Sequence, residues 1–468
     1  MRSSLLAAPL LATLFLVAGP MLFPQQPPAS ATSAAANDPS VHVSNGPGSA
    51  FHFTKDDLKL LNESNAIDSD LEAKGFVLHD PVVQAYIDAI GNRILAGRHV
   101  PEKVTFRFLI LRDTSVNAYS LANGSVYVTS GLLSLLKNEA QLASVLSHET
   151  SHVYERHAYL ENRDRGNKSL AMEIIVAAAS WVPGGYAASL AADAAANVSS
   201  LILIESIYGY SREKEQQADS DGIAAMAAVG YNPHAIAAAF ELLDQDSTLE
   251  YEPRPTFYHD HPKLQEREAA ALEYADAHTP ADAQIAPEQE YLNAVALAIV
   301  SNVEDDLESR KPRTAVARAT RLVNAFPGNP EYQMLLGEAY RQLGAKTTEP
   351  TEEELTHRGE ANQRKLMLNM SEEQEQQKLL SSDQGRAALK QNQAAAEKLF
   401  LSVIQEQPDD ALVYRELGFL YEDEGRYSDA AANYQDYLKR LAPNSLDRYR
   451  IERRLAQCQS RQTAETHR

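Results

Sequence analysis

The run His148-Glu149-Thr150-Ser151-His152 combines the residue types and the spacing that metal chemistry needs. Residues 139–157 carry Leu142, Val145, Leu146 and Val153 at helical spacing, which predicts a half-buried helix through the motif. Four positions make slightly more than one turn, so His148 and His152 project from one face and can share an ion. Glu149 sits one step round, where its carboxylate reaches a metal-bound water without ligating. Zinc suits this set, because it is redox-inert, accepts imidazole nitrogen and acidifies its bound water towards neutrality.

Two histidines are not a complete catalytic site, and a third protein ligand is required. A third His six positions after His152, with an intervening Gly, is not present: those positions hold Ala158 and Glu155. His157 is one position off and, on a continued helix, points away from the pair, so it is read as structural. A carboxylate from a later helix is the other route. The stretch 210–229 offers Glu213, Glu215 and Asp219. Glu215 and Asp219 share a face, Asp219 can hold the second nitrogen of a ligating His, and Ala218 permits close helix approach. Spacing alone does not choose between Glu213 and Glu215.

The elements expected to position these groups lie just upstream. Val82, Val83, Tyr86, Ile87, Ile90 and Ile94 recur with helical period, and residues 104–111 read as a strand. Asn117-Ala118-Tyr119 and Val126-Tyr127-Val128 flank Asn123-Gly124, a strong hairpin signal. The strand 125–129 is expected to offer a sheet edge to an extended substrate. Between the two metal-binding helices, residues 169–207 are rich in Ala, Ile and Leu around Pro183-Gly184-Gly185. The first arm is short of the roughly 20 apolar residues of a membrane span and contains Glu173, so a helical hairpin over the site is expected.

In order, the Asn117 hairpin, the His148 motif, the Arg212…Glu215…Ala218-Asp219 helix and His261-Pro262 with Arg267 resemble the CAAX-prenyl-protease-type zinc metallopeptidases. These gluzincins include the HtpX, Oma and BepA groups, and the resemblance covers roughly residues 55–280. It implies a zincin-type domain holding one zinc, with Glu215 as third ligand and Asp219 supporting a ligating His. It further implies that His261 lies near the metal, aiding the transition state or capping the zinc as a latch. Arg267 and Asn117 would contact substrate and oxyanion. His259 competes for the His261 role, but the proline that follows favours His261. Metal-assisted peptide hydrolysis follows, with Glu149 as base and then acid.

The C-terminal part is of a different kind. Pro327 and Gly337 are ten apart, as are Pro408 and Gly418, and Leu336-Gly337…Tyr340 matches Leu417-Gly418…Tyr421. This resembles the tetratricopeptide repeat, of period ~34 residues. The 81-residue step from Pro327 to Pro408 exceeds one repeat, and the excess is a polar insertion near 345–386. The fold class expected is therefore α+β and mostly helical: a metallopeptidase domain with a small sheet over 55–280, then an all-α repeat domain over 281–468. The concave face of the repeats would bind a protein or peptide.

Charge and composition bound the rest. There are 64 acidic residues against 43 Lys plus Arg, a net charge of −21, which argues against a nucleic-acid binder. The single cysteine, Cys458, excludes a disulfide framework and a Cys-ligated zinc. Arg2, the apolar run 5–17 and the small residues Ala29 and Ala31 read as an export signal ending near residue 31. An uncleaved anchor over 5–23 is the alternative. Residues 32–54, rich in Ala, Ser, Asn, Pro and Gly, read as a tether. This layout is most similar to the periplasmic BepA group, tied to outer-membrane protein assembly. It implies protein substrates, assembly partners through the repeats, and at most peripheral membrane contact.

Overall fold

The computed structural model describes residues 51–165, 210–246, 272–277, 287–349, 372–442 and 445–466, with Ala269 and Thr279. The export segment, most of the tether, the hairpin 169–207, His259, His261, Arg267 and the middle of the polar insertion lie outside the described residues.

Helix α1 (Lys55–Ala73) starts at a capping box: the Thr54 side chain accepts from the Asp57 amide, and the Asp57 carboxylate accepts from the Thr54 amide. Asp57 also binds Arg163 at 2.5 Å. The end of the expected tether is thus structured. Phe51 and Phe53 meet edge to face, both rings lie against Tyr159, and Arg163 donates to the His52 carbonyl. Helix α2 (Pro81–Leu95) is capped by Asp80, has proline at its first position and buries Val83, Ile87, Ile90 and Ile94.

Three strands follow, β1 (Arg107–Leu111), β2 (Ala118–Ser120) and β3 (Ser125–Thr129). The sheet order is β1-β3-β2, with β1 parallel and β2 antiparallel to β3. Strand β1 is shorter than the expected 104–111, although the Thr105 amide still bonds the Asn123 carbonyl. Gly124 has φ +97°, and a Cβ there would lie 2.7 Å from the Val104 side chain, so the turn requires glycine. The order corrects one expectation. Strand β3 is bonded on both sides and cannot accept a substrate strand; among the described strands the outer one on this side is β2, whose three residues are buried.

Helix α3 (Ser130–Leu135) leads to α4 (Glu139–Tyr154), which is buried along almost its whole length. The predicted continuation of α4 to residue 157 does not occur. Glu155 caps it, Arg156 adopts a left-handed φ of 57°, and α5 (His157–Arg165) begins in a new direction. Helix α6 (Arg212–Ala228) packs along α4, and α7 (Ala235–Asp246) packs beyond it.

The remaining helices are α8 (Glu288–Glu308), α9 (Pro312–Ala325), α10 (Pro330–Leu343), α11 (Glu372–Leu380), α12 (Asp383–Glu406), α13 (Ala411–Asp423), α14 (Tyr427–Arg440) and α15 (Asp447–Thr466). Helices α8 to α10 share one core with α2, the sheet and α4. Tyr291 of α8 donates to the Leu133 carbonyl at 2.7 Å, and Arg321 of α9 donates to the Leu136 carbonyl at 2.9 Å, capping the end of α3. A second core joins α12 to α15. Gly337 on α10 lies under the Phe400 ring of α12, and Gly418 on α13 under the Tyr434 ring of α14; neither has room for a Cβ. Both glycines thus admit an aromatic ring from another helix, and the residues read as an insertion fall largely between α10 and α12. No helix among the described residues is long and apolar enough to cross a membrane.

Candidate metal centre

His148 and His152 do project from one face of α4, both buried, with their Nε2 atoms 3.0 Å apart. Helix α6 delivers Glu215 to the same point: its carboxylate oxygens lie 3.4 Å from His148 Nε2 and 3.8 Å from His152 Nε2. The tertiary structure thereby makes the choice that spacing left open, since Glu215 is 2% exposed and Glu213 faces solvent. One ligand atom from each of His148, His152 and Glu215 fits within a 4.8 Å cluster. A tetrahedral ion bound at about 2.0–2.1 Å spaces its ligand atoms by roughly 3.3 Å, which the three observed separations bracket.

The surroundings fix how these groups present themselves. His148 Nδ1 lies 3.0 Å from Asp219 Oδ1, which holds the proton on Nδ1 and turns the Nε2 lone pair inward. The Tyr210 amide donates to Glu215 Oε1 at 2.9 Å, and the Tyr210 ring stacks on His152 with centroids 4.4 Å apart. Burial opposes a charge on His148, yet the Asp219 and Glu215 carboxylates outweigh it and raise its pKa to about 9. Two Nε2 atoms facing a buried carboxylate define a point that favours positive charge, supplied by a proton or by a metal ion. The donor set therefore fits a metal cation.

Three further placements bear on the sequence reading. Glu149 is buried in α4 beside His148, 2% exposed. Asn117, immediately before β2, is buried, its backbone bonded to Thr129 and its Oδ1 without a hydrogen-bond partner. His157 is a correction. The left-handed turn at Arg156 brings it back, and its Nδ1 lies 2.9 Å from His152 Nδ1. Sequence reasoning extended the helix through Arg156 and so aimed His157 the wrong way. It also passed over Gly222, at which a Cβ would lie 3.0 Å from the His148 amide nitrogen. Gly222, one turn on from Ala218, sits directly under the turn that carries His148. A cleft beside His152 is lined by Ser120, Leu121 and Ala122 of the β2 edge together with Tyr159 and Tyr210.

The family model for peptidase family M48 matches residues 81–275, the stretch that contains this cluster. This stretch is similar to peptidase family M48. Curated proteins are similar over parts of the chain. A Vibrio cholerae protein named as a candidate beta-barrel assembly-enhancing protease is 32% identical over 215 residues, 46% of this chain and 43% of that protein. The beta-barrel assembly-enhancing protease of Escherichia coli K12 is 30% identical over 187 residues, 38% of this chain and 36% of its own length. The mitochondrial metalloendopeptidase OMA1 of Schizosaccharomyces pombe is 28% identical over 159 residues, 34% of this chain and 43% of its own. The chain thus spans less than half the length of each of these relatives.

Proposed function

We propose that this chain is a zinc-dependent endopeptidase of the bacterial cell envelope, acting on misfolded or misassembled proteins. One observation carries the reading: two imidazoles from one turn of α4 and a carboxylate from α6 converge on a buried point, with a further carboxylate, Glu149, beside them. His148, His152 and Glu215 would hold zinc, which when bound polarises a carbonyl and acidifies water. Glu149 takes the proton from the attacking water and returns it to the leaving amine. His261 and Arg267 are assigned to the developing oxyanion and Asn117 to substrate, following the family pattern. A substrate backbone adds in extended form at the β2 edge beside the cleft, where main-chain hydrogen bonds give affinity with little side-chain selection.

Location follows from the export segment, and recruitment from the C-terminal helices, which are read as tetratricopeptide repeats. Their glycine-under-aromatic pairs support that reading. A second reading, chiefly an assembly factor for outer-membrane proteins with a latched or secondary peptidase site, draws on the names of the bacterial relatives. Glu149→Gln separates the two. Under the first reading it abolishes casein cleavage and in-cell function together. Under the second, casein cleavage is lost and in-cell function survives. Full casein cleavage by the variant would refute the catalytic assignment.

A further inference from the structure

We propose that His157, aligned by Gln217 and Glu155, is a positioning residue that fixes the tautomer of His152. The inference rests on the metallopeptidase reading and goes beyond the residues that the family pattern assigns. It begins at the far end of a chain of hydrogen bonds. The Glu155 carboxylate can only accept, and Gln217 Nε2 donates to it at 2.6 Å. The Gln217 amide is thereby oriented with Oε1 towards His157 Nε2, 3.2 Å away. His157 Nε2 must then carry the proton, which leaves Nδ1 as an acceptor. Facing that acceptor at 2.9 Å is His152 Nδ1, so the proton of His152 sits there and its Nε2 lone pair turns to Glu215 and His148.

His148 and His152 are thus supported by different chemistry. A carboxylate, Asp219, accepts from His148; a neutral imidazole accepts from His152. The neutral acceptor avoids a third buried negative charge beside Glu215. What delivers it is the turn at Arg156, whose guanidinium lies over the Phe51 ring at 4.0 Å, clamped from outside by the segment preceding α1.

The test is zinc affinity of the purified full chain, by chelator competition, for three variants. His157→Leu removes the acceptor and is expected to weaken zinc binding by about 10–100-fold, the usual effect of losing a ligand's hydrogen-bond partner. His157→Asn retains an acceptor near the Nδ1 position and is expected to restore affinity to within about threefold. Gln217→Met, on the outer face of α6, leaves the core intact and is expected to give a smaller loss in the same direction; it decides the matter should the Leu variant not fold. Equal losses for Leu and Asn would mean that His157 only fills space, and unchanged affinity in a folded Leu variant or in Gln217→Met would likewise overturn the proposal. A wild-type protein that binds no zinc, or binds it equally after His148→Ala, would instead sink the metallopeptidase reading itself.

Discussion

The α4/α6 pair and the C-terminal helix stack both bring helices together over a glycine, and they use the contact for opposite ends. At Gly222 the missing side chain admits the backbone of the turn that carries His148, and the space next to it is filled by polar groups: two imidazoles and two carboxylates. At Gly337 and Gly418 the missing side chain admits an aromatic ring, and the surroundings are apolar. The first contact positions charge, and the second fills volume. Burial is similar in both, so burial by itself does not mark a site; the chemistry of what is buried does.

That contrast can be broken in four ways. The largest effect is expected for Glu215→Ala, which removes a proposed ligand and should cost more zinc affinity than the ~10–100-fold typical of outer partners. Metal analysis after dialysis checks it, and stoichiometric zinc in the variant would strike Glu215 from the ligand set. Phe400→Ala tests the other side. Its ring is fully buried over Gly337, so truncation should cost about 3–5 kcal/mol in denaturant unfolding while zinc stoichiometry stays unchanged.

A third test concerns the charge favoured at the centre. In metal-free protein the His148 pKa is raised from 6.5 to about 9, so its imidazolium stabilises the fold fully below pH 6.5. That contribution is lost as pH climbs through about 9. The melting temperature of chelator-treated protein should therefore fall over that window, and His148→Gln should flatten the fall. The smallest effect is expected at Gly222. Gly222→Ala gains helix propensity of roughly 1 kcal/mol, yet its Cβ presses on the His148 amide. Melting should change little, while casein cleavage drops by about tenfold, in keeping with ~10²-fold for a 1 Å misplacement.

Much of this was legible in the sequence because the signals are local. The His-x-x-x-His spacing sets two imidazoles on one face of any helix, and Asn123-Gly124 sets a turn whatever surrounds it. The short helix α3 and the merging of α8 to α10 into the core around α4 were not legible. They depend on partners more than a hundred residues away, such as Leu133 with Tyr291.

The sequence by itself determined which residues can ligate and on which face of α4 they stand, since helical geometry follows from backbone sterics and apolar period. Only the tertiary structure decided that Glu215 and not Glu213 reaches the two imidazoles, that β2 is the outer strand, and that His157 returns to His152. Each of those depends on where a chain segment goes after a turn. A single left-handed residue such as Arg156 redirects everything beyond it, and its conformation is held by contacts from outside its own helix.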